Sequence, residues 1–114
     1  MHELSAATNI IDVVRRSIPP EQQPLVRSIH VRIGEQAGIV IESLKFCFEA
    51  AKQESPLNGA SLSVDTVPMI VSCAVCGSTG AADGPASLCP ACGGSAVKIV
   101  SGTGMDVVGV EIEA

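Results

Sequence analysis

The amino-acid sequence predicts an α+β fold, in which two helices pack on a small three-stranded mixed sheet that carries an inserted zinc-ribbon-like module. Three observations predict it. Two stretches have apolar residues at helical spacing, and three other stretches alternate polar and apolar residues as strands do. One further stretch, rich in cysteine and glycine, shows neither pattern. With 114 residues, the chain can build one modest core and a metal-stabilised appendage, but not two independent cores.

Two amphipathic helices are predicted. Across residues 4–18, apolar residues recur every three or four positions, and Pro19-Pro20 ends the pattern. The first apolar face consists of Leu4, Ala7, Ile11, Val14 and Ile18. Residues 39–52 form the second helix, with charged residues including Lys52 on its solvent face. Its apolar face consists of Val40, Leu44, Cys47, Phe48 and Ala51.

Three strands are predicted by alternation of polar and apolar residues. The first covers residues 28–33 and stops at Gly34, the second leads from residue 61 to Pro68, and the third covers residues 105–113. Because a helix separates the first two strands, we expect a right-handed crossover and parallel pairing between them. Residues 69–101 show almost no periodicity until 97–100, so we interpret them as an inserted module.

The composition excludes several classes of function. Seven basic and twelve acidic residues give a net charge of -5, and no cluster of Lys or Arg could neutralise phosphates, so we expect no nucleic-acid partner. There is neither an apolar run of roughly 20 residues nor a signal-peptide pattern, so we expect a cytoplasmic protein without a membrane partner.

Four of the five cysteines have the spacing of metal ligands. They form two C-x-x-C pairs separated by twelve residues: Cys73, Cys76, Cys89 and Cys92. Each pair is followed by a glycine, Gly77 or Gly93, which can adopt the positive φ that closes a tight turn. A closed shell of four thiolates suits structural Zn²⁺ best, with iron or labile disulfides as alternatives. We therefore predict a zinc-binding domain at 69–101, inserted into an α+β domain of residues 1–68 and 102–114.

The chain start is a second candidate metal site. If Met1 keeps a free amine, that nitrogen, the His2 amide nitrogen and the His2 imidazole can form two fused chelate rings around one ion. Ni²⁺ and Cu²⁺ favour such tetragonal nitrogen fields. A histidine beside the initiator methionine has no function in most proteins, so its interpretation depends on context.

The sequence resembles the HypA family, also called HybF, over essentially its whole length. Four shared features occur in the same order: the opening MHELS, the strand IHVRIG, the segment LKFCFEA and the two C-x-x-C pairs. The resemblance implies a nickel domain joined to a zinc domain and no catalytic residues. It implies a nickel metallochaperone for [NiFe]-hydrogenase maturation that acts with a HypB-type GTPase and the hydrogenase large subunit, with a homodimer as a possible assembly.

Residue by residue, the resemblance implies that His2 is the principal nickel ligand, with backbone nitrogens of His2 and of Met1 or Glu3 beside it. It makes Cys73, Cys76, Cys89 and Cys92 the zinc ligands. The Glu3 carboxylate has two interpretations, as a hydrogen-bond partner of the imidazole or as an acidic group at the positive end of the first helix.

The remaining candidates have simpler interpretations. His30 lies on the polar side of its strand, where we expect a solvated or hydrogen-bonded side chain, and Cys47 is expected to be a small buried hydrophobe. Two alternative functions stay open. One is a zinc-ribbon adaptor for protein or RNA, and the other is a thiol redox protein, although neither C-x-x-C pair has the βαβ context of a redox motif.

Overall fold

The computed structural model describes residues 3–81, 88–89 and 91–113. Within these residues, two α-helices and six strands form, in the order α1 (Glu3–Ser17), β1 (Val26–Gly34), α2 (Ile41–Ala51), β2 (Ser61–Val67), β3 (Ile70–Cys73), β4 (Thr79–Ala81), β5 (Val97–Ser101) and β6 (Met105–Ile112). Short 3-10 helices at Gln23–Leu25 and Lys52–Glu54 precede β1 and follow α2. None of the described helices is long and apolar enough to cross a membrane.

The chain forms two compact units. The first comprises Met1–Arg32, Ile39–Asp65 and Asp106–Ala114. The second comprises Ile33–Gly38 and Thr66–Met105.

The first unit has an apolar core. Helices α1 and α2 pack against each other, and the buried side chains come from both helices, from β1 and from the loop after α2. The largest of them are Ile10, Val14, Val26, Ile29, Val31, Leu44, Phe48 and Leu57. Burying one such side chain fully stabilises a fold by about 1.5–3 kcal/mol. This core therefore holds the helices and β1 together without a cross-link.

The first sheet has the strand order β2-β1-β6. At one edge, Glu113 N donates to Leu25 O at 2.9 Å and Glu111 lies beside His30, so β6 runs antiparallel to β1. At the other, Glu35 N donates to Val67 O at 2.8 Å, which brings the ends of β1 and β2 together as in a parallel pair. The predicted α+β fold with a mixed three-stranded sheet is therefore confirmed.

The second sheet, with the order β4-β3-β5, was only partly predicted. Both neighbours of β3 are antiparallel to it, and Val71 pairs with Gly80 on one side and Ile99 on the other. The sequence pattern indicated β5 but missed β3 and β4. These strands have four and three residues, which is too short for alternation to be recognised.

Two glycines of the second unit allow backbone segments to cross closely. A Cβ at Gly34 would lie 2.1 Å from the Gly102 carbonyl carbon, and one at Gly102 would lie 2.3 Å from Met69 Cα. Gly102 also has a φ of 100°, a conformation that only glycine adopts readily. Gln36 N donates to Gly102 O at 2.9 Å, so the loop after β1 is fixed in this unit.

Both helices differ from the prediction in their buried faces. In α1, Leu4 is 57% exposed whereas Ile10 is fully buried, so the buried face is rotated from the predicted one. In α2, Val40 precedes the helix and is exposed. The prediction that Lys52 faces solvent is wrong, because its ammonium donates to Ala60 O at 2.8 Å and the residue is buried.

Candidate metal centre

The first C-x-x-C pair forms a tight turn at the end of β3. Cys73 N donates to Ser78 O at 2.9 Å, and Gly77 N donates back to Cys73 O at 3.0 Å. Gly77 has a φ of 74°, as predicted. Cys76 N lies 3.5 Å from Cys73 Sγ, so a backbone amide is directed at the first sulfur. The turn thus presents both sulfurs on one side.

The second pair repeats this geometry. Cys89 N donates to Gly94 O at 2.8 Å, and Gly93 N donates to Cys89 O at 2.9 Å. Gly93 has a φ of 73°, so the predicted positive φ is confirmed here too. Cys92 N lies 3.4 Å from Cys89 Sγ. Two equivalent turns therefore approach one another with the same arrangement of donors.

The four sulfurs converge on one point. All four Sγ atoms lie within 4.8 Å of one another, and Cys73–Cys92 and Cys76–Cys89 are both separated by 3.6 Å between sulfurs. A tetrahedral ion with metal–sulfur bonds of about 2.3 Å needs sulfurs about 3.8 Å apart. All four cysteines are free thiols. The cluster therefore has the size of a tetrahedral metal site.

The pKa values of the thiols diverge within the cluster. The Ser78 side chain, which hydrogen-bonds the Cys76 sulfur, is the main cause that lowers the pKa of Cys76 to about 6, and the Cys76 amide lowers that of Cys73. The Gly94 amide lowers the pKa of Cys92, but the neighbouring thiols outweigh it and raise the pKa to about 12. Close thiolates repel one another, so a cation is needed for Cys92 to ionise near neutral pH.

Exposure and charge define the kind of site. Cys73 and Cys89 are buried, while Cys76 and Cys92 are exposed. Four protein ligands fill a tetrahedral shell, so no position is left for a water or a substrate. The cluster therefore has the chemistry of a structural centre.

Lys98 is the only basic residue in the sequence from 66 to 105, so the unit lacks the positive charge that phosphate binding requires.

Ser78 is a site residue that the sequence prediction missed. Its carbonyl accepts from Cys73 N, and its hydroxyl hydrogen-bonds the Cys76 sulfur. The signal that could have identified it is its position directly after the glycine of the first C-x-x-C-G turn.

The predicted nickel residues Met1 and His2 lie outside the described residues. Glu3 is the first residue of α1, and its Oε2 accepts a 3.4 Å hydrogen bond from Val40 N, just before α2. The carboxylate is thus at the N-terminus of α2 as well as in the first turn of α1. Both helix ends carry partial positive charge, which favours an acidic group there.

The two other candidates have simple environments. His30 Nε2 lies 3.0 Å from Glu111 Oε1, so this histidine is hydrogen-bonded across β1 and β6, as expected. Cys47 is half-buried in α2 rather than fully buried. Among the described residues, the cysteine cluster is the only group of three or more potential ligands gathered around one point.

Comparison with known proteins agrees with this geometry. The profile of the family described as "Hydrogenase/urease nickel incorporation, metallochaperone, hypA" matches residues 1–112. A hydrogenase maturation factor HypA from Desulfosudis oleivorans is 35% identical over 99% of this chain and 99% of its own length. One from Prosthecochloris aestuarii is 40% identical over 99% of this chain and 100% of its own length.

Solved structures show the same fold. The solution structure of the Ni metallochaperone HypA from Helicobacter pylori superposes with a TM-score of 0.73 at 22% identity, covering 100% of this chain and 99% of that one. A second structure, the solution structure of HypA protein, also has a TM-score of 0.73, at 19% identity. Both cysteine pairs and the opening MHE fall inside the matched range. The chain therefore belongs to the HypA family of nickel-incorporation metallochaperones, which are hydrogenase maturation factors and not enzymes.

Proposed function

We propose that this protein binds Ni(II) at its N-terminus and delivers it for maturation of [NiFe]-hydrogenase, while a structural zinc ion holds the cysteine cluster. The observation that carries the proposal is the family match over residues 1–112, which includes Met1-His2-Glu3 and both C-x-x-C pairs. We further propose that the nickel domain comprises residues 1–68 and 102–114 and the zinc domain residues 69–101.

The zinc assignment rests on the donor set. Four thiolates at tetrahedral spacing favour Zn²⁺ over hard cations, which prefer oxygen ligands. The ligands would be Cys73, Cys76, Cys89 and Cys92. Because the shell is closed, zinc would supply folding energy rather than chemistry. The nickel ion, as cargo, needs a separate and more accessible site.

The nickel assignment rests on His2. Its imidazole and its amide nitrogen would be the principal ligands, with the amine of Met1 or the amide nitrogen of Glu3 completing a tetragonal nitrogen field. The Glu3 carboxylate already accepts a hydrogen bond from Val40 N, so we assign Glu3 a backbone role in the nickel shell. In this assignment the carboxylate anchors the start of α1.

The proposed partners follow from the family's role. A nickel donor for hydrogenase must contact the hydrogenase large subunit that receives the ion, and a HypB-type GTPase would control the release of nickel. This maturation takes place in the cytoplasm, where we place the protein. Neither partner requires nucleic acid or a membrane.

Calorimetric nickel titration of the untagged protein, of His2→Ala and of His30→Ala tests the nickel site. His30 is the matched control, because it is the second of the two histidines in the chain and is engaged with Glu111. We expect His2→Ala to weaken nickel binding by about 100-fold or more and His30→Ala to leave it unchanged. Zinc content, measured in parallel, should stay at one per chain in all three.

Acetylating the α-amine of Met1 separates the contribution of the amine from that of the imidazole, because it converts the amine into an amide, supplies no new amine and keeps His2. Loss of nickel binding would support an amine ligand, and retention would restrict the shell to His2 and downstream amides. If neither variant changes the affinity, the N-terminal site is wrong and a zinc-ribbon adaptor becomes the better interpretation.

A further inference from the structure

Helix α1 has a basic end in an acidic protein. Arg15 and Arg16 lie in its last turn, and they are the only two neighbouring basic residues in a chain with a net charge of -5. Both side chains are exposed. Basic residues at a helix C-terminus offset the partial negative charge there, which explains their charge but requires nothing of their surroundings. The surroundings of these two guanidinium groups go beyond that role.

A polar groove of about 470 Å³ lies beside the two arginines. It is lined by Asp12, Arg15, Arg16, Pro20 and Gln23. Gln23 is buried, and its Nε2 donates to Arg15 O at 3.0 Å and to Ile18 O at 3.3 Å. These hydrogen bonds fix the turn that follows α1. The wall of the polar groove opposite the helix is therefore held in place by a buried side chain.

The charged groups of the polar groove do not pair with one another. Asp12 and Arg16 are four residues apart in a helix, a spacing at which opposite charges can form an ion pair. Arg16 Nε instead donates to the backbone carbonyl of Asp12 at 3.3 Å. The ion pairs between described residues are Arg27–Glu113, His30–Glu111 and Lys52–Glu49. No described carboxylate therefore pairs with Arg15 or Arg16, and both can bind a carboxylate from another molecule.

An apolar groove lies on the other side of the same helix segment. It has a volume of about 200 Å³ and lies between α1 and β6. Its lining includes Val13, Ser17, Ile18, Val107, Val108 and Val110. Successive residues of a helix point about 100° apart, so Asp12 and Val13 face different grooves, as do Arg16 and Ser17. Two grooves of different chemistry thus lie on either side of one exposed ridge of α1.

We propose that this ridge, with the polar groove on one side and the apolar groove on the other, docks an amphipathic acidic segment of a partner protein. Aliphatic side chains of the partner enter the apolar groove, while its carboxylates accept bidentate hydrogen bonds from Arg15 and Arg16. An apolar contact with a charged rim is the usual composition of a specific interface. The docking surface deepens the proposed function, and rests on it only in that a nickel donor must contact a recipient.

Charge complementarity determines the orientation of the partner. Strand β6 carries the carboxylates of Asp106 and Glu111, which disfavour acidic groups on that side of the apolar groove. The partner's carboxylates are favoured over α1, so they belong on one flank of the docked segment only. A phosphate-rich partner is disfavoured, because Asp12 lies in the polar groove and the chain as a whole is acidic.

Peptide titration of the zinc-loaded, untagged protein, followed by amide chemical shifts, tests the docking surface. The probe is a helical peptide with leucines on one face and glutamates along one flank, and its matched form has lysine at each glutamate position. We expect the glutamate peptide to shift the amides of residues 12–18 and 107–110. It should bind at least about 10-fold more tightly than the lysine peptide, and added salt should reduce this difference.

A charge swap distinguishes docking from a structural role of the arginines. Arg15→Glu combined with Arg16→Glu should reverse the preference, so that the lysine peptide binds more tightly, whereas a role confined to the helix end predicts no reversal. If circular dichroism shows that this variant is unfolded, Arg15→Gln with Arg16→Gln replaces it and should abolish the preference. The control is Lys45→Glu, an exposed charge reversal on α2, which should leave both affinities unchanged.

Val108→Asn tests the apolar groove separately. Val108 is 49% exposed, so the fold should tolerate the change, and both peptides should bind more weakly because the amide cannot replace the apolar contact. Nickel affinity should not change in this variant or in the arginine variants, so the docking surface and the proposed function can fail independently.

Three results would overturn the docking surface. The first is equal affinity for the two peptides, or no binding of either, in the unmodified chain. The second is an unchanged preference in a folded arginine variant. The third is a shift of the same amides with protein concentration alone, which would assign the surface to a second copy of this chain.

Discussion

The two compact units of this chain are stabilised by different means. The first buries aliphatic side chains from two helices and a strand, whereas among the described residues the second buries few large apolar groups: Ile33, Met69 and Val71. The second unit instead gathers four thiols within 4.8 Å. A structural zinc site supplies about 10–16 kcal/mol, comparable to about five fully buried aliphatic side chains. A metal centre can therefore replace a core in a segment too short to build one.

The largest effect should follow from breaking the cysteine cluster. We expect Cys92→Ser, or metal removal by a chelator, to abolish hydrogen-exchange protection of the amides in β3 and β5 while α1 and α2 stay protected. The control is Cys47→Ser, which removes the one thiol outside the cluster. If β3 and β5 remain protected in Cys92→Ser, the second unit is stabilised by its own packing rather than by a metal.

The stability of the first unit should depend instead on its buried apolar side chains, so removing one of them should destabilise it. Phe48 is fully buried, so Phe48→Ala should lower the free energy of unfolding by about 3–5 kcal/mol. Phe46 has the same chemistry but is 76% exposed, and Phe46→Ala should change the free energy by less than about 0.5 kcal/mol. Denaturant unfolding of zinc-loaded protein, followed by circular dichroism, measures both, and equal losses would contradict this assignment of the core.

A smaller effect is expected at the backbone crossing in the second unit. Gly102→Ala forces a side chain into a positive φ and against Met69 Cα, and should cost about 3 kcal/mol. Gly104→Ala is the matched control, since nothing lies within 4 Å of its added Cβ. Local hydrogen exchange around β3 and β5 is the measurement. Unchanged hydrogen exchange in Gly102→Ala would mean that the backbone around residue 102 moves to accommodate the added methyl group without loss of stability.

The smallest effect should come from the buried lysine of the first unit. Lys52→Met removes the ammonium that donates to Ala60 O and pairs with Glu49 at 2.7 Å, and should cost about 1–2 kcal/mol, because the apolar stem is retained. Lys45→Met, at an exposed position of α2, should be nearly neutral. Thermal unfolding of both variants checks this. Equal midpoints would show that the Ala60 carbonyl finds another donor.

Much of the fold was predictable because its signals are local. Helical spacing identified α1 and α2, and alternation identified β1, β2, β5 and β6, all with five or more residues. The positive φ of Gly77 and Gly93 was predicted correctly, since a C-x-x-C-G turn closes on itself through its own backbone. The convergence of the two cysteine pairs followed from the same repeated spacing.

What the sequence by itself determined, then, is the class of fold, the elements with a clear period and the two metal-binding turns, because each depends on residues within a few positions of one another. The tertiary structure alone decided the burial of Lys52, the partner of Glu3 and the close approach of Gly34 to Gly102. Each of these depends on a group supplied by another segment: the Ala60 carbonyl, the Val40 amide and the Gly102 backbone. Periodicity identifies the face of a segment that packs on the core, but it does not identify the other segment that packs against that face.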